Sequence, residues 1–195
     1  MIVYLGMPKC ASTWLYNKII HNFEYIGEKE PHTLVEWGET NNNIIDFSTN
    51  NWSMDSTTAE KLDKEVSHYI YIVRDPIELA TSYYLQTTPG ITFNDFVNSL
   101  INTKLLCFGD IIERWYNLVD RNKILVYNYN IDIQNNQKQF LENITKILNI
   151  NYDTTILPKK KVFETVNKPT LTCDTKHKSK LDFQMNKFKK IVEKL

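Results

Sequence analysis

Short apolar runs closed by turn residues alternate along this chain with longer stretches in which apolar side chains recur every three or four positions. Ile2-Val3-Tyr4-Leu5 is the first run, and Gly6-Met7-Pro8 ends it. A run of this kind predicts a buried strand, and glycine followed by proline cannot continue one. Trp14 to Phe23 then reads as a helix with Trp14, Leu15, Lys18 and Ile19 near one face. Glu24-Tyr25-Ile26-Gly27 and Ile44 to Ser48 predict short strands, with a loop at Asn41 to Asn43 between them. Ser56 or Thr57 can cap a helix through Ala59, Leu62 and Val66. Tyr69-Ile70-Tyr71-Ile72-Val73 is the strongest strand signal, because it is continuous, β-branched and aromatic. Asp75-Pro76 opens the next helix, which runs to about Leu85 with the carboxylate as its cap and proline in its first turn.

Further helices are predicted over Thr92 to Ile101, Leu105 to Leu118 and Gln137 to Leu148, with a strand at Lys123 to Tyr127. Residues 151 to 176 are weakly periodic, and Ser179 to Leu195 predicts a closing helix. Strands alternating with helices imply an α/β fold with a mostly parallel sheet. The first strand and the Tyr69–Val73 strand are expected near its centre, which brings the turns that follow them to one edge.

The 195 residues suggest a single domain over 1–195. Lysine plus arginine and aspartate plus glutamate number 23 each, so no net field favours nucleic acid or a membrane surface. Cys10, Cys107 and Cys173 lie far apart, with neither zinc nor redox spacing, and read as free thiols of a reducing compartment. The four histidines are scattered, so no metal site is expected. No apolar run is long enough to span a bilayer and the first strand leaves no room for a signal peptide, so a cytoplasmic location is expected.

The turn after the first strand carries the candidate chemistry. Lys9-Cys10-Ala11-Ser12-Thr13 joins a strand to a helix start, where backbone N–H groups and the positive end of the dipole suit an anion. Ser12 and Thr13 also serve as ordinary helix caps in an equally simple reading. The nucleoside-triphosphate loop G-x-x-x-x-G-K-[ST] is not matched, because Lys9 does not directly precede the hydroxyl residue and Ala11 stands in place of a second glycine. A second anion pocket is suggested by Arg74 at the end of the strong strand, with Ser82 two helical turns on. A surface ion pair between Arg74 and Asp75 is the plainer alternative.

Together these stretches resemble the sulfotransferases that use 3′-phosphoadenosine-5′-phosphosulfate (PAPS). That family follows one strand with P-K-x-G-T-T-W-L, here Pro8-Lys9-Cys10-Ala11-Ser12-Thr13-Trp14-Leu15. It follows another with R-[DN]-P and a later serine, here Arg74-Asp75-Pro76 and Ser82. Trp115 and the strand before Asn128-Tyr129-Asn130 extend the likeness, while the last sixty or so residues match loosely. The resemblance implies a three-layer α/β/α, P-loop NTPase-like architecture with PAPS as donor and adenosine 3′,5′-bisphosphate (PAP) as product. Lys9, Cys10, Ala11, Ser12 and Thr13 would hold the 5′-phosphosulfate, and Trp14 would lie against the adenine. Arg74 and Ser82 would bind the 3′-phosphate. Lys176, His177 and Lys178 are candidates for the family's C-terminal basic segment, beside the plainer reading of a solvated helix start.

Transfer needs a base for the acceptor's proton and a cation for the leaving oxygen. Lys9 suits the second task. Gly27-Glu28-Lys29-Glu30 resembles the G-x-K-E of glycan-modifying members, which makes Glu30 the first choice of base, His32 the second and Glu28 the third. The acceptor is a small molecule or a glycan bearing a hydroxyl or amine, without nucleic acid, membrane or metal. A kinase on a related fold and a nucleotide-binding protein without turnover are the competing readings.

Overall fold

The computed structural model describes residues 1–19, 45–46, 48–87, 90–147, 149 and 171–193. Outside these residues lie the predicted strand at 24–27, the loop at 41–43 and residues 151–170 of the weakly periodic segment 151–176.

The strand Ile2–Tyr4 (β1) pairs in parallel with Ile45–Asp46 (β2) on one side and with His68–Val73 (β3) on the other. Strand β3 pairs in parallel with Ile124–Asn128 (β4), giving the order β2-β1-β3-β4. The register sets Val3 opposite Tyr69 and Ile72 opposite Tyr127. Leu5 extends the ladder by donating its N–H to Ile70 O at 2.8 Å. The continuous apolar character of β1 and β3 has its physical reason here. Ile2 to Tyr4 and Tyr69 to Val73 are all buried, as strands covered on both faces must be. At the other end, the Asp63 carboxylate accepts from Tyr69 Oη at 3.3 Å, from the Asp120 N–H at 3.3 Å and from Lys123 Nζ at 3.2 Å, tying the approach to β4 beside the approach to β3.

The described helices are Ser12–Ile19 (α1), Ser56–Leu62 (α2), Pro76–Thr87 (α3), Phe93–Asn102 (α4), Phe108–Leu118 (α5), Gln137–Ile147 (α6) and Thr175–Val192 (α7). Their starts follow local hydrogen bonding. Asp55 Oδ1 accepts from Thr58 N, Thr92 Oγ1 from Asp95 N, and Asp174 Oδ1 from His177 N. Asp174 explains why α7 begins at Thr175 rather than at the predicted Ser179. Helix α5 begins at Phe108 rather than 105 because Lys104 takes a left-handed φ of 64° and Cys107 N–H closes a turn onto Lys104 O. After β4 the chain forms a π-helical segment, Tyr129–Asn135, that periodicity does not announce. Asn128 Oδ1 caps it by accepting from Asn130 and Ile131 N–H, and Asp132 Oδ2 accepts from Asn128 N–H at 2.6 Å.

The residues group into two compact units, Met1–Val73 with Leu118–Glu164, and Arg74–Asn117 with Thr165–Leu195. The first holds the sheet, with Val3, Tyr4, Leu5, Leu15, Ile70 and Ile72 fully buried. In the second, α5 and α7 meet at Gly109, where an added Cβ would stand 2.7 Å from Gln184 O and 2.8 Å from Lys187 Cβ. Lys187 Nζ bridges Asp110 Oδ1 at 2.6 Å and Glu113 Oε2 at 2.7 Å across the same contact. Those carboxylates hold the ammonium above its usual pKa. All three cysteines are free, as their spacing predicts.

Candidate functional site

The order β2-β1-β3-β4 means that the chain leaves β1 toward one side and returns to β3 on the other. In open parallel sheets, ligands bind beyond the carboxyl ends of strands at such a reversal. The loop after β1 therefore lies at the carboxyl end of a strand that borders such a reversal.

The loop after β1 is shaped from within. Tyr4 is fully buried, and its Oη donates to Cys10 O at 2.7 Å. The ring comes so close to Gly6 that an added Cβ there would lie 2.1 Å from Tyr4 Oη, so a side chain at residue 6 would force the tyrosine ring to move. Burial, with Cys10 and Tyr71 beside it, raises the Tyr4 hydroxyl well above its ordinary pKa, so it remains a donor. Cys10 N–H donates to Met7 O at 3.2 Å, closing the turn. On either side of Cys10, Lys9 and Ala11 take left-handed φ angles of 68° and 67°. Alternation of this kind turns successive backbone N–H groups toward one concave side, which favours an anion.

Ala11 O then accepts from Leu15 N–H at 2.8 Å and α1 begins. Helix geometry leaves the first-turn N–H groups of Ser12 and Thr13 without an intrahelical acceptor. Ser12 is buried, whereas Lys9 and Thr13 are half-buried. Trp14 is half-buried, with its ring centroid 6.1 Å from that of Phe140, which itself meets Tyr127 edge-on at 4.7 Å.

The residues after β3 are Arg74, Asp75 and Pro76. Asp75 Oδ1 accepts from Ile77 and Glu78 N–H, both at 2.9 Å, so this carboxylate caps α3. Arg74 is 7% exposed, and its Nε lies 3.4 Å from Glu78 Oε2, one turn along α3. The expected cap at Asp75 is present, and the plainer alternative of a surface pair between Arg74 and Asp75 gives way to an i, i+4 contact with Glu78. Ser82 is also buried, and the spacing of Glu78 and Ser82 puts them on one face of α3.

A sulfotransferase domain model matches residues 2–190 of the chain. The chain belongs to the sulfotransferase family. This decides against the kinase reading, in keeping with the missing glycine-lysine-serine order, and makes the protein an enzyme of sulfuryl transfer. A crystal structure of a sulfotransferase from Alicyclobacillus acidocaldarius is similar with a TM-score of 0.62 at 10% identity, over 98% of this chain and 95% of that one. The mouse sulfotransferase SULT7A1, solved in complex with PAP, is similar with a TM-score of 0.53 at 20% identity, over 79% of this chain and 59% of that one. No curated protein matches the chain significantly.

In this sulfotransferase the predicted bases Glu28, Glu30 and His32 lie outside the described residues. Lys176 and Lys178 are exposed in the first turn of α7. His177 is buried rather than solvated, with Nε2 3.2 Å from Asn98 Oδ1 and Nδ1 2.9 Å from Asp174 Oδ1. Its place is in the packing of α7 near α4. Sequence reasoning overlooked Tyr4, Gly6 and Glu78. The Gly6 break was visible, but a hydroxyl within an apolar run gave no sign of reaching a carbonyl six residues later. No described helix is long and apolar enough to cross a membrane.

Proposed function

We propose that this sulfotransferase takes its sulfuryl group from PAPS, delivers it to a hydroxyl or amine of a small molecule or glycan, and releases PAP. The donor supplies a sulfuryl group activated by its bond to a phosphate oxygen. The observation that carries the reading is the loop after β1, with left-handed Lys9 and Ala11 leading into the first turn of α1. A terminal sulfated phosphate suits that cradle of N–H groups, with the Lys9 ammonium beside it and the hydroxyls of Ser12 and Thr13 as added donors. The buried guanidinium of Arg74 ahead of α3, with the buried Ser82 on that helix, suits the 3′-phosphate. Trp14 offers a face to the adenine.

During transfer the acceptor atom bonds to sulfur as the bond from sulfur to the 5′-phosphate oxygen breaks, and that oxygen leaves with the electron pair. Lys9 and the loop N–H groups stabilise the charge growing there. Glu30 takes the acceptor's proton, with His32 as the alternative base. Binding energy and alignment do the rest of the work.

Calorimetry with PAP tests the site. The unaltered protein binds, and Lys9→Ala and Arg74→Ala each weaken binding by about tenfold or more, equivalent to ~1.4 kcal/mol. Unchanged affinity in both variants removes the assignment. Glu30→Gln abolishes transfer and keeps PAP affinity; full activity in that variant moves the base to His32.

A further inference from the structure

We propose that Tyr4 is a positioning residue for the donor loop, aiming the Ala11 N–H at the anion by holding the carbonyl of Cys10 inside the protein. The proposal rests on the reading that this loop holds the 5′-phosphosulfate, and it adds a residue outside the motif.

Phenylalanine would fill the same buried space on β1. A buried hydroxyl instead requires a partner, and Tyr4 Oη finds Cys10 O at 2.7 Å. The peptide joining Cys10 to Ala11 is planar and trans, because the chain has no described cis peptide bond. Its C=O and N–H therefore point in opposite directions. Drawing the Cys10 carbonyl toward the buried tyrosine turns the Ala11 N–H away from the core, toward the side on which Ser12 and Thr13 begin α1.

Two further features fit this role. Lys9 and Ala11 flank the pinned carbonyl in left-handed conformations that non-glycine residues leave when nothing holds them. Gly6 is shaped to the tyrosine, since any Cβ would collide with the end of its ring. Tyr4, Gly6 and Cys10 thus form one buried brace under the loop, tied by the hydroxyl to the Cys10 carbonyl.

Tyr4→Phe removes one oxygen atom and nothing else. Two ligands separate positioning from general damage. PAP carries both phosphates, whereas adenosine 3′-monophosphate lacks the 5′ group that the loop would hold. In Tyr4→Phe, PAP affinity falls by about tenfold while affinity for adenosine 3′-monophosphate stays within about twofold of the unaltered protein. Steady-state kinetics show the same division, with KM for the donor raised and KM for the acceptor unchanged. Equal weakening of both nucleotides overturns the proposal, since it signals loss of structure rather than of aim. Unchanged PAP affinity in Tyr4→Phe, with Lys9→Ala still weakening PAP, also overturns it and leaves the loop assignment standing. Failure of Lys9→Ala to weaken PAP overturns the loop assignment itself, and the proposal with it. Should Tyr4→Phe not fold, Tyr4→Phe/Ala11→Gly provides a background in which residue 11 accepts the left-handed backbone without strain, and the two-ligand comparison is read against Ala11→Gly alone.

Discussion

Ala11 shows what a single methyl group does in this loop. Its φ of 67° is a conformation that glycine adopts freely and alanine resists. The family resemblance marks this position as a usual glycine, and the backbone angle supplies the reason. Ala11→Gly is expected to stabilise the fold by about 0.5–1 kcal/mol, the relief of strain exceeding the entropy gained by the unfolded chain. Thermal unfolding reads this as a Tm higher by a few degrees, and a lower Tm would show that the methyl group contributes packing that outweighs its strain. Lys9, Ser12, Thr13, Arg74 and Ser82 stood out as candidates in the sequence because charge and hydroxyl groups at a strand end contrast with apolar surroundings. Tyr4 did not, because its apolar neighbours made the ring look like ordinary core and the Cys10 carbonyl has no side-chain signature. Arg74 was legible as a cation and the start of α3 at Pro76 from the Asp75-Pro76 pair, whereas the choice of Glu78 as the arginine's neighbour was not, because it depends on side-chain placement.

Helices and strands were legible wherever a buried face is long. The run Tyr69 to Val73 announced β3 directly, and α6 ends within one residue of its predicted limit. Starts governed by one polar residue were harder, as at α7, where the Asp174 carboxylate captures the His177 N–H and adds a turn. The meeting of α5 and α7 at Gly109 was invisible for another reason, since close helix approach depends on residues distant in sequence. Gly109→Ala places its methyl group against the Gln184 carbonyl and Lys187 Cβ, neither of which swings aside freely. The expected loss is about 1–3 kcal/mol in urea unfolding, from overpacking of that contact. A variant as stable as the parent would mean that the helices separate there at no cost.

Across the whole molecule, buried tyrosines set an alkaline limit. Burial raises Tyr4 and Tyr69 far above the ordinary tyrosine range, and burial with the Asp132 carboxylate nearby pushes Tyr127 up to about 12. The folded state therefore keeps protons that the unfolded chain releases above about pH 10. Stability is fully present below that pH and declines as pH rises through the folded values. Urea midpoints measured between about pH 9 and 12 should be level at first and then fall, and a level profile to the upper limit would contradict the burial of these hydroxyls. The α/β class was readable from the alternation of elements, and the adjacency of β1 and β3 from their unbroken apolar runs. That the residues gather into two compact groups, each drawn from two separate stretches of sequence, was not, because grouping follows contacts between distant segments.

The all-parallel pairing has a consequence for how the chain is made. None of the described strands folds back on a neighbour as a hairpin, so each described rung joins segments separated by long stretches of sequence: Ile2 waits for His68, and Tyr69 waits for Ile124. Closing such distant loops is slow. A nascent chain emerging from the ribosome holds an incomplete sheet until β4 has been synthesised, with the edge of β3 bare in the interval, and that interval is when the protein is most open to aggregation.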